Sequence, residues 1–142
     1  MIKIVPYSQE KHYTLLSEWW EKHGWPSVPA HKLPPFGFVA FYYDDALCHE
    51  CYPLAGSFAY LDNGGTGVAM LEWSVGNPEA DKKQLLKGVK ELFTFMSAEL
   101  NRLEYDVIFT SCRVAGLIKI LEKCGFAKTD EGMTHLVHIT PS

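Results

Sequence analysis

Two apolar strands separated by a long amphipathic helix constrain this chain more than any other feature. Gly67 to Val75 is mostly apolar and reads as a buried, central strand. Tyr105 to Thr110 reads as another. Between them Leu85, Val89, Leu92, Phe93, Met96 and Leu100 recur at helical spacing, a stripe long enough to cover one face of a sheet. Asn77 and Pro78 supply a cap and a first-turn residue, and Glu79 and Asp81 suit the positive end of the helix dipole, so the helix is expected to start at Asn77. Strand, helix and strand of these lengths make a parallel crossover, which is right-handed.

The remaining segments fit around that unit. Ile2 and Ile4 suggest a first strand. Ser8 is placed to cap a helix whose inward face carries Tyr13, Leu16 and Trp20, with Leu15 and Trp19 beside it, and Gly24 is a natural stop. Residues 25–36 contain Pro26, Pro29, Pro34 and Pro35, which bar regular helix, and enough apolar side chains to pack on the domain. Gly37 to Tyr43 and Ala55 to Leu61 read as strands, and the Asp62-Asn63-Gly64-Gly65 turn leads into the central strand. Residues 114–123 read as a short helix with Leu117, Ile118 and Leu121 inward, ended by Gly125-Phe126, and Met133 to Ile139 as a last strand. The order is β–α–loop–β–β–β–α–β–α–β. It predicts one α/β domain over residues 1–142, a mixed sheet with helices on both faces.

Composition narrows the function. A formal charge of -4 gives no overall attraction to nucleic acid or to an anionic membrane, and no partner of either kind is expected. No apolar run is long enough to span a bilayer, and Met1 to Pro6 turns polar too soon for a signal peptide, so the default location is cytoplasmic. The cysteines are then expected as reduced thiols. Cys48-His49-Glu50-Cys51 has the spacing of a zinc knuckle, but no second close pair completes four ligands, and no metal is expected. The histidines show no ligand pair on one helix, and His135 and His138 fall on opposite faces of the expected last strand.

The element order, the Leu117–Phe126 helix with its Lys-x-Gly-Phe ending, and the turn from Leu71 to Pro78 together resemble the GNAT (Gcn5-related N-acetyltransferase) family over nearly the whole chain. The Trp19-Trp20 helix, residues 23–26 and residues 131–137 are also similar to small, often phage-encoded proteins of GNAT type. The resemblance implies acetyl transfer from acetyl-CoA to an amine acceptor, a small molecule or a protein. It implies a coenzyme held where two parallel strands splay. Trp73, Ser74 and Val75 would line the pantetheine arm, and Asn77, Lys82, Lys83 and Gln84 would hold the pyrophosphate at a helix start. Glu72 lies where the family often places its general base. Leu121 occupies the position of the usual tyrosine acid, which leaves Ser111 or Cys112 as a replacement proton donor. Trp25 and Phe36 belong to the region that caps the acceptor site in such proteins.

Each of these residues has a plainer reading. Glu72 could sit on a solvated strand face or pair with an arginine, Lys82 and Lys83 could be solvated, Ser111 could cap the next helix, and Cys112 could act as a small hydrophobe. The helix start reads Asp81-Lys-Lys-Gln-Leu-Leu-Lys-Gly88, without the glycine-bearing Gln/Arg-x-x-Gly-x-Gly/Ala pattern. A GNAT-fold binding or regulatory protein without catalysis is therefore the alternative. Exposed edge strands leave room for a homodimer.

Overall fold

The computed structural model describes residues 1–44 and 51–141. Five strands form one sheet in chain order: β1 (Ile2–Pro6), β2 (Phe36–Tyr43), β3 (Cys51–Leu61), β4 (Val68–Gly76) and β5 (Val107–Thr110). The first three pairings are antiparallel, and β4–β5 is parallel. Helix α1 (Gln9–Lys22) links β1 to β2, α2 (Lys82–Arg102) makes the crossover from β4 to β5, and α3 (Ala115–Lys123) follows β5. The mixed sheet with helices on both faces agrees with the sequence reading.

Each helix stripe finds its own face of the sheet. Leu16, Trp19 and Trp20 of α1 pack with Val28, Phe58 and Val75 on one face. Val89, Leu92, Phe93, Met96 and Leu100 of α2 cover the other face, where the sheet presents Ala40, Ala55, Ala59, Ala69 and Leu71. The row of alanines lets the helix axis come close. At Gly88 a Cβ would lie 2.6 Å from Leu54 Cδ1, so helix and strand meet with no room for a side chain. The proline-rich segment packs as expected, and Val28 and Pro34 are buried.

Four local expectations change. Helix α2 begins at Lys82, not at Asn77. Asn77 is instead buried in a turn, donating from Nδ2 to the Pro53 carbonyl and accepting the Glu79 amide at Oδ1, both at 2.9 Å. Ser8 occupies the N-cap position of α1, but its hydroxyl caps nothing; its own amide donates to His12 Nδ1 at 2.9 Å. Ser111 does not cap α3, whose N-cap is Val114. Met133–Ile139 forms no strand: Leu136, Val137 and Ile139 stay exposed and β5 keeps an open outer edge. Alternating apolar residues make a strand only when a neighbouring edge takes up their amides and carbonyls. His135 and His138 therefore have no opposed strand faces. Cys48, His49 and Glu50 lie outside the described residues. Among the described residues no group of three His, Cys, Asp or Glu side chains is arranged around a metal position, and no helix is long and apolar enough to cross a membrane.

Candidate active site

The site is built on a distortion of the central strand. Trp73 has φ 59, in the left-handed region that a tryptophan rarely adopts. The β3–β4 register shifts at the same level, between Gly56 and Phe58. Together these mark a β-bulge that twists β4 away from its straight course. Within it Ser57 of β3 faces two residues of β4, Trp73 and Ser74, and the Ser57 and Ser74 hydroxyls share a hydrogen bond of 2.7 Å.

On the other side of β4 the ladder simply stops. Pairing with β5 runs from Val68–Val107 to Leu71–Thr110 and no further. Thr110 closes the apex, donating from Oγ1 to the Leu71 carbonyl at 2.9 Å. Glu72–Gly76 continues as strand with no paired neighbour on the β5 side among the described residues. The β4 residues Glu72, Trp73, Ser74 and Val75 thus lie along a stretch of strand whose β5-side edge is left unpaired among the described residues.

Glu72 stands opposite Phe58, which places it on the α1 face of the sheet. Burial pushes its carboxyl above the ordinary carboxylate range, and the nearby His135 pulls it partway back. Among the described residues no ion pair neutralises it. Around it Tyr60, Met70, Trp73 and Phe109 remain exposed, an apolar floor that α1 does not reach. Trp73 Nε1 donates to the Tyr60 hydroxyl at 2.9 Å, and that hydroxyl donates to the Lys32 carbonyl at 2.9 Å. This chain of bonds fixes the loop between α1 and β2 against the bulge.

The far end of β4 leads to the start of α2. The connecting turn is fastened by an ion pair of 3.0 Å between Lys22 and Glu79, and by a 2.9 Å bond between His23 Nε2 and the Gly76 carbonyl. A carbonyl only accepts, so that ring nitrogen carries the proton. Asp81 is the N-cap of α2, its Oδ2 accepting the Gln84 amide at 3.1 Å. Asp81-x-x-Gln84 is a capping pattern written in the sequence, and it would have located the true helix start. The cap uses the Gln84 amide. The amides of Lys82 and Lys83 have no protein partner among the described residues, and both lysine side chains are exposed beside them.

No family model matches the sequence, and no curated protein matches it. Solved structures do match. A protein from Thermus thermophilus superposes with a TM-score of 0.67 at 13% identity, over 99% of this chain and 98% of that one. Glucosamine-6-phosphate N-acetyltransferase from Arabidopsis thaliana gives 0.59 at 13%, over 97% and 99%. A predicted acetyltransferase from Clostridium acetobutylicum, solved with acetyl-CoA, gives 0.58 at 11%, over 96% of each chain. The fold is that of the GNAT acetyltransferases.

Within this GNAT fold the remaining candidates separate. Leu121 is buried against the α2 side of the core, so the α3 position that the resemblance assigns to a tyrosine acid here serves packing. Ser111 is exposed one residue beyond the Leu71–Thr110 pair, as Glu72 is on the neighbouring strand. Cys112 packs against the core cluster, and its sulfur accepts the Val114 amide at 3.4 Å, which favours a structural role. Trp25 is half exposed and stacks on His23 with ring centroids 4.5 Å apart, at the Gly76 end of β4. Phe36 lies elsewhere, packed edge-on against Phe38 on the α2 side of the sheet. The structure thus sets Glu72, Trp73, Ser74 and Ser111 around the end of the β4–β5 ladder, buries the Val75 side chain under α1, puts Asn77, Lys82, Lys83 and Gln84 along the turn that follows, and leaves Phe36 apart. Tyr60 and His135 join the site although nothing in their spacing singled them out.

Proposed function

We propose that the chain is a cytoplasmic acyltransferase of one domain that moves an acetyl group from acetyl-CoA to an amine. The unpaired Glu72–Gly76 edge of β4 carries this reading, because an open strand edge offers amides and carbonyls to an extended amide-bearing chain such as pantetheine. Acetyl-CoA would supply the thioester. The free amides and side chains of Lys82 and Lys83 would hold its pyrophosphate, while Asn77 shapes the turn and the Gln84 amide stays with Asp81.

Glu72 acts as the base. Its raised pKa suits it to take a proton from an ammonium and so free the nitrogen lone pair for attack on the thioester carbonyl. Trp73 and Tyr60 present an apolar wall with one fixed hydroxyl to the acceptor, and Trp25 borders the outer end of the opening. The exposed Ser111 hydroxyl, one residue past the end of the β4–β5 ladder, would donate a hydrogen bond to the departing thiolate and relay it a solvent proton, giving its own as it takes one from water.

The test is thermal unfolding with acetyl-CoA. At 100 times its dissociation constant a ligand adds about 2.7 kcal/mol. For a domain of this size, with an unfolding entropy of roughly 0.3 kcal/mol/K, that raises the melting temperature by about 9 °C. No rise at millimolar acetyl-CoA removes the proposal. The second reading, a GNAT-fold binding protein without catalysis, is favoured by the buried Leu121 and by the Asp81 carboxylate at the helix start. A rise with no coenzyme A release across a panel of amines supports that reading.

A further inference from the structure

A second concave site lies at the opposite edge of the sheet, away from the β4–β5 opening. It is a hollow of about 340 Å3 between β1 and the first turn of α1, walled by Lys3, Val5, Pro6, Ser8, Lys11, His12 and Phe41. Lys3 and Phe41 are direct cross-strand partners, and Val5 follows Lys3 on the same face. The floor is therefore apolar and the rim is cationic.

His12 is the group that makes this hollow a binding site. It is 9% exposed, so it is held by packing, with its ring 5.9 Å from Phe41. Its Nδ1 accepts the Ser8 amide at 2.9 Å, which places the proton of the neutral ring on Nε2. That N–H has no partner among the described residues, although the ring lines the hollow. The ring is held in place by packing while this N–H stays open to the hollow, so it is free to donate to a ligand there. Lys3 and Lys11 form no ion pair among the described residues, so two further cations face the hollow unneutralised.

We propose that this hollow binds a small carboxylate with an apolar body. Lys3 and Lys11 flank the carboxylate, His12 donates to it from Nε2, and Val5, Pro6 and Phe41 hold the apolar part. Free phosphate fits less well. The Ser8 amide is already given to His12, and although the Ser8 hydroxyl is a further donor, the apolar floor of Val5, Pro6 and Phe41 offers free phosphate nothing to pack against.

Benzoate is a suitable probe, with benzyl alcohol and inorganic phosphate as comparisons. The readout is the His12 imidazole nitrogen signal in long-range proton–nitrogen spectra. Benzoate is expected to shift the Nε2 resonance saturably, with half-saturation near or below about 1 mM. The K3Q/K11Q double variant, altered only at exposed side chains, is expected to melt as the wild type does and to bind at least about tenfold more weakly. E72Q is expected to bind benzoate unchanged, which separates this site from the proposed acyltransfer site. No saturation on the order of 20 mM benzoate would overturn the proposal. So would equal binding of benzyl alcohol, tighter binding of phosphate, or unchanged affinity in K3Q/K11Q.

Discussion

Replacing Glu72 by glutamine tests both the stability and the chemistry of the site, and the two effects have opposite signs. The folded protein holds the Glu72 carboxyl above its ordinary value of 4.5, mainly through burial. A carboxyl that the fold prefers protonated costs nothing below pH 4.5, where it is neutral in both states. The cost grows as pH rises through the folded-state pKa, because the unfolded chain then ionises more easily. Glutamine carries no charge to desolvate. E72Q should therefore melt higher than the wild type at pH 7–8, and the difference should fade as pH falls toward 4.5.

The magnitude distinguishes the readings. A surface glutamate of no consequence would leave stability within about 0.5 kcal/mol, or less than about 2 °C for a domain of this size. A glutamate in a buried ion pair would cost several kcal/mol when neutralised. A rise above about 2 °C fits only an unpaired, desolvated carboxylate. Loss of a general base should at the same time lower turnover by about 10²–10⁴ and remove the acidic limb of its pH profile. Calorimetry from pH 4.5 to 8, with coenzyme A release as the assay, reads both. A variant that melts lower at pH 8 refutes the desolvation argument. One that keeps full turnover removes Glu72 as the base.

The core of this fold was legible because periodicity is a strong signal where one face of an element is buried. The α2 stripe from Val89 to Leu100 and the Leu16–Trp20 face of α1 need only their spacing to be recognised, and both pack as that spacing requires. The start of α2 is easily misplaced because Asn77 and Pro78 are good starting residues in isolation. The competing use of Asn77, clamping Pro53 and Glu79, depends on a strand far away in sequence. The bulge is hidden for a similar reason. Nothing in Glu72-Trp73-Ser74 foretells a positive φ at a tryptophan; it arises from the mismatch of β3 against β4 and is held by Tyr60. Glu72 itself was legible as a charge in an apolar strand. Its surroundings were not, since His135 acts on it from the tail, and Tyr60 and Phe109 flank Met70, two residues before it on the same face, from two other strands.

The remaining predictions concern the helix start, the floor of the sheet and the tail. D81A should lose about 1 kcal/mol of stability with the cap, yet bind acetyl-CoA more tightly, because it frees the Gln84 amide and removes a negative charge from the anion position. Weaker binding would mean that the pyrophosphate lies elsewhere. G37A should cost about 1–3 kcal/mol in urea unfolding, since its Cβ would fall 2.4 Å from Phe58 Cδ1 and that ring is fully buried, with Tyr7 edge-on against it; an unchanged midpoint would show that the ring can move. Residues 133–141 are expected to contribute little to folding. Met133, Leu136, Val137 and Ile139 are 69%, 91%, 85% and 79% exposed, so their removal uncovers almost no apolar surface. A chain ended after Gly132 should melt within about 2 °C of the full one. It should nevertheless raise the pKa read from the acidic limb of turnover, because His135 holds Glu72 down and leaves with the tail. H135A should raise that pKa in the same direction without shortening the chain. A fall of about 10 °C on truncation would refute this account, since only a segment paired in solution could supply that stability. The alternating pattern from Met133 to Ile139 would then mark a sixth strand on the open edge of β5.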